Sequence, residues 1–193
     1  MIIDVTSFTS GPRQIENAAV PQKTANHIAV AGRINGYIEL LQSEFLRKAV
    51  GKPLCDEIDA YSRVEHRAAV EEETQEGSEN QAEEVAQAEE VAQAEEVAEP
   101  DERLERLISL LKEPFADYVF FYMLRDMNVQ PTITGLVQLK CANSYVSPLD
   151  KGVQTWNHMA DELRYFASEA ELLSVEGVTI DTDLLTYINN FNL

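Results

Sequence analysis

PFADYVFFYMLRD, residues 114–126, contains the apolar run Tyr118-Val119-Phe120-Phe121-Tyr122-Met123-Leu124. At about 100° per residue, these side chains leave a helix in every direction, so the stretch has no polar face. Such a helix is either the central member of a bundle or shares its surface with another chain. It is too short to span a bilayer, which needs about 20 apolar residues. Pro114 suits a first helical turn, where its missing N–H costs nothing. Upstream, Leu104, Leu107, Ile108 and Leu111 repeat the helical spacing after Asp101, a capping residue. The chain therefore carries either one helix that kinks at Pro114 or two that meet there. The helix ends near Asn128, because Pro131 lies just beyond.

The 193 residues are enough for one domain with a proper core. The net charge of −19 is unevenly spread: residues 71–100 hold 12 acids and no base. The remainder has 22 acids against 15 bases, a net of −7, and offers no basic stripe to a phosphate backbone. Cys55 and Cys141 lack CxxC spacing and read as free thiols of a reducing compartment. The start, MIIDVTSFTSGPR, lacks the charged and apolar regions of a signal peptide, so a soluble protein made in a cytoplasm is expected.

In chain order, residues 1–33 mix short apolar pieces with Gly11, Pro12 and Pro21 and read as an extended N-terminal arm. Such an arm lies on its own domain, grips a neighbour or stays mobile. From Ile34, the residues Tyr37, Ile38, Leu41, Phe45 and Leu46 form one helical face. Gly51 suits the left-handed residue that closes this helix, and Pro53 opens a shorter one bearing Leu54, Ile58 and Tyr61. This corner carries Asp56, Glu57 and Asp59 where a DNA-reading helix needs donors, so it is read as a packing corner.

QAEEVA then occurs three times in tandem, over 81–98. A six-residue period turns Val85, Val91 and Val97 to three different sides of a helix, so no apolar face forms. The segment 71–100 is read as a solvated or disordered acidic insert. Further on, Val137, Leu139 and Cys141 alternate with polar residues, and Ala142-Asn143-Ser144 can turn the chain into Tyr145-Val146 as a short hairpin. Ser147-Pro148-Leu149-Asp150 predicts an N-cap and first turn. The helix that follows sets Val153, Trp156, Ala160, Leu163, Ala167 and Ala170 on a stripe, with Met159 and Phe166 beside it. After Gly177, the spacing of Leu184, Tyr187, Ile188 and Phe191 predicts a last apolar helix that must dock somewhere.

The expected fold is mainly α: a bundle of four to five helices with a short β-hairpin, the extended arm and the insert. Its helical domain comprises 34–70 and 101–173, and 174–193 is a C-terminal docking segment. No glycine-rich phosphate cradle, GxSxG elbow or HExxH helix is present. His158 and Glu162 share a helix face at i, i+4, but two ligands make a weak metal site, and a surface pair is the plainer reading. No catalytic, cofactor or metal residue is assigned, and no enzyme activity or cofactor is expected.

Three stretches together resemble one family: YIELLQSEFLRKAVGKPL at 37–54, PFADYVFFYMLRD at 114–126, and TGLVQLKCANSYVSPLDKGVQTWNHM at 134–159. Their order and character are similar to the head-to-tail connector, or neck adaptor ring, proteins of tailed phages, above all those of Bacteroides-infecting and crAss-like phages. The resemblance covers roughly 34–66 and 102–172. The arm, the 71–100 insert and the chain after Leu172 depart from the family pattern. The resemblance implies a virion protein at the portal vertex: a homo-oligomeric ring, typically dodecameric, extending the DNA channel between portal and tail. Its partners would be the portal, other tail or ring proteins, and DNA passing through without specific binding, with no membrane.

A closed ring needs two different patches on each subunit. Phe120, Phe121 and Tyr122 are expected partly at such a subunit interface. Leu184, Tyr187, Ile188 and Phe191 are expected to dock on the portal or an adjacent ring. The competing reading is an acidic, monomeric regulatory module acting through its Glu-rich repeat.

Overall fold

The computed structural model describes residues 1–16, 18, 25–62, 102–127, 129–132, 135–138, 148–173, 175 and 177–189, with the backbone alone over 129–138. The chain is mainly helical. Its helices are α1 (Ala25–Val50), α2 (52–62), α3 (Glu102–Met127), α4 (Leu149–Leu172) and the short α5 (Thr182–Leu185). The 71–100 insert and the expected hairpin's return at Tyr145-Val146 lie outside the described residues. Within them, β1 (Val129–Thr132) pairs antiparallel with β2 (Gly135–Gln138), so Val137 faces Gln130.

Helix α3 is the middle of the bundle. It packs on α4 along most of its length and on α1 along part of it, while α1 and α4 scarcely touch. A run of rings crosses these three helices. Phe45 of α1 lies 5.3 Å from Tyr118 of α3, which lies 6.3 Å from Trp156 of α4. Phe115, also on α3, sits 5.0 Å from Phe45. Of the apolar run, Tyr118, Val119, Phe120, Phe121 and Met123 are buried, and Tyr122 and Leu124 are half-buried. The all-round apolar surface is thus explained largely by a central position within one chain.

Pro114 does not open a helix. It lies in the interior of α3, which runs through it unbroken. A proline there removes one backbone hydrogen bond and crowds the preceding turn. Its burial against the core, together with Phe115 and Leu111, holds the helix continuous despite that loss.

The expected α1 stripe is the buried one: Ile34, Ile38, Leu41, Phe45 and Leu46 face inward, with Tyr37 half-covered. The helix nevertheless begins at Ala25, well inside the expected arm. Residues 1–16 are not extended either. Two 3-10 turns, Val5–Phe8 and Gly11–Arg13, fold them onto their own domain. Asp4 caps the first turn by accepting the Thr6 amide at 2.8 Å. Ile2, Ile3 and Phe8 join the core, and the Ile2 amide donates to Gln42 of α1 at 3.0 Å. Burial of these apolar side chains, each contributing about 1.5–3 kcal/mol, is the reason the segment lies down.

Gly51, at φ +84°, closes α1 as expected, and α2 follows with Leu54, Cys55 and Ile58 buried. In α4, Pro148 occupies the N-cap itself and Leu149 is the first helical residue, one position later than the sequence suggests. The buried stripe of α4 is also rotated. It consists of Gly152, Thr155, Met159, Ala160, Leu163, Phe166 and Ala170, leaving Val153, Trp156 and Ala167 at its margin. Gly152 explains the shift, because a Cβ there would already touch the Phe121 ring at 3.7 Å. Thr155 can be buried because its hydroxyl donates to the Lys151 carbonyl at 2.9 Å.

Candidate interaction surface

The first polar constellation is centred on Asp117, buried in α3 at 3% exposure. Arg13 reaches it from the N-terminal segment, donating through Nη1 to Oδ1 at 2.9 Å and through Nη2 to Glu113 at 2.5 Å. His158 of α4 donates through Nδ1 to Oδ2 at 2.5 Å, and its Nε2 lies 3.8 Å from Glu162. The hydrogen bond to Asp117 favours the imidazolium and raises the His158 pKa, against a smaller opposing effect of burial. Beside these groups, Pro12, Lys151, Gln154 and Thr155 complete the wall of a cleft of about 410 Å³. The expected His158–Glu162 pair is therefore part of an ion-pair network. Among the described residues, no group of three or more potential ligands could hold a metal ion.

A second constellation fixes the C-terminal segment. Leu184, on α5, is 1% exposed and belongs to this chain's own core. The helix predicted to run on to Phe191 stops at Leu185, and Thr186 turns to extended backbone at ψ 124°. Phe191 lies outside the described residues. In place of helical bonds, side chains of α4 take hold of the backbone. Trp156 Nε1 donates to the Thr186 carbonyl at 2.9 Å, and Arg164 Nη2 to the Leu185 carbonyl at 2.5 Å. The Asn157 amide answers both backbone groups of Ile188, accepting from its N–H at 2.9 Å and donating to its carbonyl at 3.1 Å. Tyr187 lies with its ring 4.1 Å from the Arg164 guanidinium and its hydroxyl on Asp161. That hydrogen bond raises the Tyr187 pKa.

Of the residues expected at a subunit interface, Phe120 and Phe121 are covered within the chain. Lys151 Nζ stands 5.0 Å from the centre of the Phe120 ring, and Phe121 packs 4.8 Å from Trp156. Only Tyr122 keeps partial exposure, under Arg125 at 4.8 Å.

The large apolar side chains left in solvent lie elsewhere. Leu40, 72% exposed, stands on the side of α1 away from its buried stripe. On α4, Tyr165 and Leu172 share an outer face seven residues apart, and Leu172 is 78% exposed. Sequence periodicity contained this signal, since none of these three residues falls on a buried stripe. Asp117 and Asn157 gave none, because their partners are remote in the chain. Among the described residues, no helix is long and apolar enough to cross a membrane. No protein-family model matches the chain, and no curated protein or solved structure matches it significantly.

Proposed function

We propose that this protein is a structural subunit of a phage connector ring, lying between the portal and the tail and extending the DNA channel. The observation carrying this reading is the exposure of large apolar side chains on both helices that flank α3: Leu40 on α1, and Tyr165 with Leu172 on α4. A closed cyclic ring uses a heterologous contact, in which one patch meets a different patch on the next copy. Of the segments that resemble connector proteins, 37–54 falls on α1–α2 and 114–126 on α3, while the described part of 134–159 falls on β2 and the first turns of α4. The remaining net charge of −7 fits a lumen past which DNA slides without adhering. In this reading the expected hairpin at 137–146 and the QAEEVA insert are accessory loops of the bundle. Since Leu184 is internal, portal docking narrows to Tyr187, Ile188 and Phe191. Tyr122 remains the interface residue on α3.

Mass spectrometry of purified virions, followed by negative-stain imaging of the protein mixed with its portal, tests the assignment. The expected result is a particle component that closes into a ring on the portal, and absence from virions would overturn it. The acidic-regulator reading, motivated by the 12 glutamates of 71–100, separates cleanly. Deleting 71–99 leaves melting and ring formation unchanged in the connector reading. It abolishes partner binding in the regulator reading.

A further inference from the structure

We propose that the cleft between the N-terminal segment, α3 and α4 is a binding site for a single carboxylate group. Such a site lies within one chain and does not depend on the ring reading.

The cleft, of about 410 Å³, has cations on both walls. Arg13 comes from the N-terminal segment, while Lys151 and His158 stand seven residues apart on one face of α4. The buried carboxylate of Asp117 holds Arg13 and His158 in place. Three cations meeting in one cleft run against the composition of a chain with 34 acids and 15 bases. Lys151 takes no part in the network. Among the described residues it forms no ion pair, and its ammonium stands 5.0 Å from the centre of the Phe120 ring, a contact that leaves its protons without an acceptor.

Hydrogen-bonding capacity decides the sign of the ligand. Both oxygens of Asp117 are engaged, one by Arg13 and the other by His158. Glu113 accepts from the second Arg13 nitrogen, and the Thr155 hydroxyl donates to the Lys151 carbonyl. Donors remain open. Arg13 bonds through Nη1 and Nη2 alone, which leaves its Nε–H. The His158 Nε2 is 3.8 Å from Glu162, beyond hydrogen-bond reach. The Gln154 amide, like the Lys151 ammonium, meets no acceptor among the described residues. A wall with open donors and engaged acceptors suits an anion. With Asp117 and Glu113 already in that wall, one negative charge is accommodated better than two, which favours a carboxylate over a phosphate dianion. The carboxylate belongs either to a free small acid or to a glutamate side chain, a group that residues 71–100 carry 12 times without a base.

The test titrates the full-length chain with three probes, followed by calorimetry and by the ring resonances of His158. Butyrate stands for a free acid, the blocked peptide acetyl-Ala-Glu-Ala-amide for a glutamate side chain, and inorganic phosphate for the dianion. Saturable binding of a carboxylate probe with a Kd of about 1 mM is expected, with phosphate about tenfold weaker. The tighter of butyrate and the peptide identifies the source. Lys151→Gln should weaken binding about tenfold. Glu113→Gln removes the acid at the rim and should instead tighten it about threefold, an effect that loss of structure could not produce. Both side chains are exposed, so the fold tolerates either change. Absence of saturation by about 20 mM of either carboxylate overturns the site, as does tighter binding of phosphate or an affinity that neither variant alters. None of these outcomes bears on ring formation, which is read on the portal.

Discussion

His158 on α4 donates its Nδ1 proton to Asp117 on α3 at 2.5 Å, while the other carboxylate oxygen holds Arg13 of the N-terminal segment. One buried carboxylate thus ties three segments that are 104 and 41 residues apart in the chain. Removing it would leave the mostly buried Arg13 guanidinium without its shielded partner. Asp117→Ala is expected to lower stability by about 3 kcal/mol, the usual cost of breaking a buried ion pair, with the exposed Glu113 left as the partner of Arg13. Urea unfolding followed by circular dichroism checks this, and a loss under about 1 kcal/mol would show that the junction does not hold the segment.

The same pair predicts a pH dependence. The folded chain raises the His158 pKa above the ordinary 6.5, so protonation stabilises the fold. The contribution is complete below the unfolded-state pKa and disappears as pH rises through the higher folded value. Melting temperature should therefore fall over the range from just above pH 6.5 upward, and His158→Gln should flatten that limb. An unchanged pH profile in the variant would exclude His158 as its source.

Glycines supply a contrast in sign. A methyl group at Gly51 would stand 2.5 Å from Thr179 Oγ1, on a backbone already at φ +84°. Gly51→Ala should cost about 1–3 kcal/mol. Gly32 and Gly36 lie in α1 with open space around them. Alanine at either should add about 0.5–1 kcal/mol to monomer stability through helix propensity and a stiffer unfolded chain. Chemical denaturation of the three single variants decides the matter.

Phe115 is fully buried at the meeting of α1 and α3. Phe115→Ala should cost about 3–5 kcal/mol, whereas Leu40→Glu on the outer face of α1 should change monomer stability by less than about 0.5 kcal/mol. In the connector reading, Leu40→Glu also prevents ring closure on the portal. Unfolding curves and negative-stain images of the two variants separate core from contact surface.

The bundle was legible where burial follows periodicity. Ile34 to Leu46 and Leu104 to Leu111 point inward as their spacing predicts, and the apolar run beginning at Tyr118 occupies the centre. It was misread where small or polar residues line the core. Gly152 and Thr155 carry no hydrophobic signal, yet the first admits the Phe121 ring and the second satisfies its own hydroxyl, which turns the α4 stripe away from Trp156. Gly11, Pro12 and Pro21 made the whole of 1–33 look like an arm, although α1 already begins at Ala25. At the other end, Leu184, Tyr187 and Ile188 had helical spacing, but Asn157, Trp156 and Arg164 claimed the backbone groups that a helix would have used. The Asp117 junction could not be read locally, since an acid on a helix ordinarily faces water.

The amides of Thr179 and Asp181 bond carbonyls at the end of α1. During synthesis, α1 leaves the ribosome long before those residues exist. Its last turn then presents bare acceptors, and the site for Leu184 is unfilled. The bundle is therefore finished by a part translated late, and a nascent chain stalled before residue 179 would remain open to proteolysis and to mispairing at that corner.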